Sequence, residues 1–178
     1  HDIPLSCDEI QVGFGGSGKL WYHEVVEVLP DIVIFGKKTQ LSGIMVAEGF
    51  GDIFNPGRNV RLEVTWDGDV ADMIRCKYII KAYQKYGILE NVKRQSTLIR
   101  EALSTSPTVL NFRNCGLIIG FDLNSSNMRD RMVEKLYSRG FLCNSTGIKS
   151  IRLRPNLNLS DADTQKAIDL IVQCGEEL

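Results

Sequence analysis

Residues 30–40 read Pro30-Asp-Ile-Val-Ile-Phe-Gly-Lys-Lys-Thr-Gln40, PDIVIFGKKTQ. A run of four apolar residues, three of them β-branched, between Pro30 and Gly36 is the length of a strand and too short for a helix. Apolar side chains at successive positions demand burial on both faces, as in a parallel sheet covered by helices. The run stops at Gly36, and two lysines follow at its carboxyl end. In an open parallel sheet that end is where ligands bind.

Upstream, Ile3 to Cys7 (IPLSC) predicts a second buried strand, ending at Asp8-Glu9. The segment between, Lys19 to Pro30, is long enough for a crossover helix, the usual link between parallel strands. Downstream, Ile44-Met-Val46 predicts a third strand, and 50–64 is irregular, punctuated by Pro56 and Gly57. Val70, Met73, Ile74, Tyr78 and Ala82 fall at helical spacing, with an interruption at Gly87 and a further helix over Leu89 to Leu103. Then come a strand at Leu117–Leu123, a helix at Met128–Arg139 stopped by Gly140, strands at Phe141–Asn144 and Ser150–Arg154, and a last helix capped by Ser160. The pattern is α/β, in two parts: 1–88 and a compact unit over 89–178.

The stretch VGFGGSGKLW, Val12 to Trp21, fits two glycine-rich phosphate patterns. Neither stands. The Walker pattern lacks its Mg²⁺-binding Ser or Thr, because Leu20 follows Lys19. The dinucleotide pattern is crossed by Asp8 and Glu9 before the glycines, and Asp31 begins its strand where that pattern needs an acid at the end. A flexible turn beside a site made by other residues is the expectation.

Composition narrows function further. With 21 basic and 22 acidic residues and no long run of either, no electrostatic footprint for nucleic acid or an anionic membrane exists. Five scattered cysteines without metal-ligand spacing suit a reduced, cytoplasmic setting, and no apolar run is long enough to span a bilayer. His23 has no partner at ligand spacing, so no metal is expected. What remains is Asp8 at one strand end and Lys37 or Lys38 at the other. A desolvated lysine amine forms Schiff bases, and a carboxylate can hold a pyridinium nitrogen protonated.

Several separated phrases share one resemblance: Asp8-Glu-Ile-Gln-Val-Gly13, GSGKLWYHE from Gly16 to Glu24, the 30–40 stretch, Thr65-Trp66 and Ser150-Ile-Arg-Leu-Arg-Pro155. In order and spacing they resemble the class III aminotransferases that use pyridoxal 5'-phosphate (PLP). FGKKTQLSGIM and TWDGDVADMIRC look most like L-lysine 6-aminotransferase, while GKLWYHE and KSIRLRP also resemble 4-aminobutyrate aminotransferase. The implied fold is the C-terminal part of a fold-type I transferase: the end of the large cofactor domain with its mostly parallel sheet, then a small C-terminal α/β domain. The resemblance gives Lys37 the internal aldimine and the proton shuttle, with Lys38 as rival. It gives Asp8 the pyridine nitrogen, Gln11 the phenolic oxygen, Thr65 the cofactor phosphate across a dimer interface, and Arg152 the substrate carboxylate. Arg154 is read as structural. The implied reaction moves a terminal amino group, lysine ε or 4-aminobutyrate, to 2-oxoglutarate in a homodimer whose N-terminal portion supplies the rest of the cofactor cradle. Two departures stand out: Asp67 and Asp69 where the relatives read T-W-G-G-N, and Arg113-Asn-Cys-Gly116 for R-G-R-G. A non-catalytic remnant acting as an interaction module is the second expectation.

Overall fold

A computed structural model describes residues 3–50 and 65–178. The irregular segment expected around Pro56 and Gly57 lies outside the described residues. Two compact units divide the chain: residues 1–14 with 19–87, and residues 15–18 with 88–178.

The first unit holds a three-stranded sheet in the order β1 (Ser6–Asp8), β2 (Ile32–Phe35), β3 (Gly43–Val46). β1 and β2 run parallel, with Asp8 opposite Ile34, so their carboxyl ends share one edge. β3 returns antiparallel to β2. A single 3-10 turn over Lys37–Thr39 joins them.

The expected crossover helix over Lys19–Pro30 is absent; that segment is a chain of turns. Glu9 anchors it. Its carboxylate is buried, 2% exposed, and accepts from the backbone N–H of Tyr22 at 2.9 Å and of His23 at 2.7 Å. The His23 ring adds a third contact, Nδ1 at 3.1 Å. Asp8 and Glu9 thus divide the work, one facing out at the strand tip and one holding the loop inside.

The glycine-rich stretch is a series of turns, as expected from sequence, and it is packed inside: Gly13, Phe14, Gly15, Gly16 and Gly18 are all buried. A Cβ on Gly13 would stand 2.7 Å from the Glu9 carbonyl oxygen. The Gly13 and Gly18 N–H groups bond to the carbonyls of Glu9 and Gly15. The Gly13 and Gly18 amides are thus committed to carbonyls within the stretch and its neighbour strand end. Phe14 packs edge-on to Trp21, ring centroids 4.7 Å apart. Helix α1 (Val70–Lys85) completes the unit, and Tyr83 Oη donates to the Phe14 carbonyl at 2.9 Å. Asp69, one of the two departures in sequence, caps α1 by accepting from the N–H groups of Ala71 and Asp72.

The second unit is an antiparallel sheet in the order β4 (Leu110–Cys115), β5 (Ile118–Asp122), β7 (Ser150–Leu153), β6 (Asn144–Thr146). The strand expected at Leu117–Leu123 is half of a hairpin whose other half, β4, mixes Asn111, Arg113 and Asn114 with its apolar residues. Its turn needs Gly116, which has φ of 58° and whose Cβ would meet the Gly16 carbonyl oxygen at 2.3 Å. The strand expected at Phe141–Asn144 begins instead at Asn144. Helices α2 (Ile88–Leu103), α3 (Ser126–Ser138) and α4 (Asp161–Glu176) pack on one another and on the sheet. Ser160 caps α4 through the Asp163 N–H, as expected.

Alternation assigns the two faces of this sheet. Ile119, Phe121, Ile151 and Leu153 are buried in the core with Leu103, Met132, Leu136 and Ile171. The intervening Gly120, Asp122, Ser150 and Arg152 therefore occupy the other face.

Candidate active site

Three of the expected site residues lie at neighbouring strand ends of the first unit, and two of them, Lys37 and Gln11, are in contact. Asp8 is exposed at the tip of β1, its Oδ1 accepting from the Ile10 N–H at 2.9 Å. Gln11 follows in the turn leaving that strand. Lys37 opens the 3-10 turn at the tip of β2, exposed, with φ of 56°. That left-handed conformation is costly for a residue with a Cβ, and such outliers cluster at functional sites. Lys37 Nζ donates to Gln11 Oε1 at 2.5 Å. The neighbouring Lys38 turns elsewhere: its ammonium donates to the carbonyls of Gln11, at 2.8 Å, and Gly13, at 2.7 Å.

An amine, an amide and a carboxylate on one sheet edge form a donor set that fits PLP: the amine for its aldehyde, the amide for its phenolic oxygen, the acid for its ring nitrogen. Thr65 sits apart from this trio in sequence, exposed in the turn before α1.

Arg152 belongs to the second unit. In the cross-strand register Arg113 lies opposite Gly120, and Gly120 opposite Arg152, so the three form one row. They line a shallow hollow of about 350 Å³ together with Asn114, Cys115 and Thr146. The two guanidiniums differ in their commitments. Arg113 Nη1 donates to Asp122 Oδ1 at 3.0 Å and to the Asn111 carbonyl at 2.9 Å, and Nη2 donates to Ser150 Oγ at 3.3 Å. Arg152 Nε is buried without an acceptor. An unpaired buried donor is unfavourable and calls for an explanation, and an anionic ligand is one that its position beside the hollow allows. Alternation alone would set Arg154 on the face of Arg152; the end of β7 at Leu153 turns it away, into a second hollow lined by Leu153, Arg139 and Lys166.

Hydrogen bonds from Ser150 and Asn111, and then Arg113, hold the Asp122 carboxyl down to about 2. A carboxyl with a lowered folded-state pKa stabilises the fold fully above its unfolded value, and that contribution disappears as pH falls through the folded value. Stability should therefore decline between about pH 4 and pH 2, and Asp122→Asn should flatten this part of the profile in acid unfolding followed by circular dichroism. An unchanged slope would remove Asp122 from the acid response.

With sheet order, strand-end lysine and acid in place, the class is defined: the chain is a mixed α/β piece corresponding to the C-terminal part of fold-type I aminotransferase structures. Residues 1–174 match the family model Aminotransferase class-III, and the chain belongs to that family. L-lysine-epsilon aminotransferase of Mycobacterium bovis is 32% identical over 174 residues, covering 94% of this chain and 39% of the relative. The 4-aminobutyrate aminotransferase of Kluyveromyces lactis is 34% identical over 182 residues, covering 96% of this chain and 38% of the relative. The chain thus spans roughly two fifths of the length of these relatives. Among solved structures, lysine aminotransferase from M. tuberculosis in the internal aldimine form superposes with a TM-score of 0.87 at 31% identity, over 97% of this chain and 41% of that one. Among the described residues no helix is long and apolar enough to cross a membrane, and no cluster could hold a metal ion.

Two residues outside the expected trio also contribute. Glu9 holds the loop following β1, and its only signal was an acid directly after an apolar strand. Lys38 holds the backbone of Gln11, a contact between residues 27 positions apart that no local pattern encodes.

Proposed function

We propose that this chain is the part of a PLP-dependent transaminase that carries the reacting lysine, Lys37, and a substrate-carboxylate clamp, Arg152. The observation carrying the proposal is the shared edge of β1 and β2, where Asp8 and Lys37 stand at the ends of parallel neighbours and Lys37 Nζ meets Gln11 Oε1. Residues 1–88 then serve as the end of the large cofactor domain and 89–178 as the small domain of a cytoplasmic homodimer.

Bound there, PLP supplies an electron sink for the carbon that gives up its proton. Lys37 would hold the cofactor through its amine and would then take up and return the proton given up by the substrate carbon. Asp8 keeps the ring nitrogen protonated, and Gln11 orients the phenolic oxygen. Thr65 donates its hydroxyl to the phosphate. Arg152 offers a planar pair of N–H groups to a carboxylate, a fit that a lysine ammonium cannot reproduce.

The favoured amino donor is lysine, through its ε-amino group, with 2-oxoglutarate as acceptor. The lysine aminotransferase relatives and the phrase FGKKTQLSGIM support this choice. The protein carrying this chain should form glutamate from lysine and 2-oxoglutarate at least about tenfold faster, in kcat/KM, than from 4-aminobutyrate, a difference of about 1.4 kcal/mol in transition-state binding. Glutamate is measured in a coupled assay. Faster turnover of 4-aminobutyrate would reverse the donor assignment and leave the reaction class standing.

A further inference from the structure

The Lys37–Lys38 pair converges on one residue from two directions. Lys37 reaches the Gln11 side chain, Oε1 at 2.5 Å, and Lys38 reaches the Gln11 main chain, carbonyl oxygen at 2.8 Å. Lys38 also holds the Gly13 carbonyl at 2.7 Å. Gly13 is itself immobilised, because its bare Cα lies against Glu9 and Trp21 too closely for any side chain. The Lys38 ammonium therefore joins the turn that presents Lys37 to a loop already fixed on the core side.

We propose that Lys38 is a positioning residue: by holding the Gln11 and Gly13 carbonyls it sets the Gln11 amide against the Lys37 amine. The proposal rests on the reading of Lys37 as the reacting lysine. Two features of the geometry support it. First, the acceptors are two carbonyls of one tight loop; a lysine serving only solubility needs neither, whereas charge-assisted bonds of this kind fix backbone position. Second, the turn is unfavourable on its own, with Lys37 at φ 56° and Gln40 at φ 54°. A conformation of that kind persists when its surroundings over-determine it, and the clasp from Lys38 to the loop is one such restraint. Lys37 cannot share this duty, since its own amine faces Gln11 Oε1.

The test is the rate at which PLP followed by borohydride labels Lys37 in the protein carrying this chain, read by peptide mass spectrometry. Lys38→Met keeps the stem and removes the charge and donors. It should slow labelling of Lys37 by roughly tenfold or more, the scale for losing a hydrogen bond made by a charged group. Lys38→Arg, which can reach two carbonyls with separate N–H groups, should recover most of the rate. The discriminating arm is a double-mutant cycle. In a Gln11→Ala background, Lys38→Met should add little, because a residue acting through Gln11 has nothing left to position. A purely structural role would slow labelling equally in both backgrounds, and that result overturns the proposal, as does a wild-type rate in Lys38→Met. Should Lys38→Met fail to fold, Lys38→Gln, which retains two N–H donors without the charge, carries the same comparison. Absence of label on Lys37 in the unaltered protein would instead remove the functional reading on which the proposal rests.

Discussion

Lys37→Ala should abolish transamination and leave no pyridoxyl label after borohydride reduction. Two losses combine. The amine that holds the cofactor is gone, and so is the group that transfers the proton, a role worth about 10²–10⁴-fold in rate by itself. The fold should be little affected, because Lys37 is exposed and substitutions at exposed positions usually change stability by about 0.5 kcal/mol or less. Lys37→Arg should be as inactive as Lys37→Ala, since a guanidinium keeps its proton and offers no nucleophile. These outcomes separate the two lysines. Label that persists in Lys37→Ala and maps to Lys38 would transfer the role to the neighbour, and the carbonyl clasp of Lys38 would then have to open on cofactor binding. The structure argues against that: the half-buried Lys38 ammonium is committed to two acceptors, whereas Lys37 stands at the open tip of the strand.

Much of this site follows from local rules. PDIVIFGKK encodes a strand followed closely by a lysine; IPLSCDE yields a strand only over Ser6–Asp8, exposed where burial was expected, and parallel pairing brings the two carboxyl ends side by side. The cap of α4 at Ser160 and the break between the two long helices at Gly87 are likewise local, resting on a side-chain oxygen and a positive φ of 58°. Other features were illegible because long-range contacts decide them. Lys19–Pro30 has the length for a helix, yet it forms a loop whose Tyr22 and His23 amides are held by the distant carboxylate of Glu9. β4 reads as polar because one of its faces is open, and the Arg113–Asp122–Ser150 network that fills this face joins three strands. The roles of Gly13 in the glycine stretch and of Gly116 in the β4–β5 turn rest on close approach to the carbonyls of Glu9 and Gly16, which no local pattern encodes.

The same open face carries the second large effect. Arg152→Ala should weaken binding of 2-oxoglutarate by about 2 to 5 kcal/mol, read as a KM raised about thirtyfold or more, the range for truncating one partner of a buried, hydrogen-bonded charge pair. The rate at saturation should change much less, because a contact made equally to substrate and transition state contributes to binding alone. The two arginines of the row provide an internal contrast. Arg113 is bonded to Asp122, Ser150 and Asn111, so Arg113→Ala should lower the melting temperature by breaking that network. Arg152 leaves its buried Nε without an acceptor, so its removal relieves an unpaired donor and should leave the melting temperature nearly unchanged while binding collapses. Arg152→Lys restores the charge without the fork and should recover only part of the affinity. A silent Arg152→Ala, or one whose only effect is on melting, would place this guanidinium outside the substrate site and leave its unpaired nitrogen as a defect of packing.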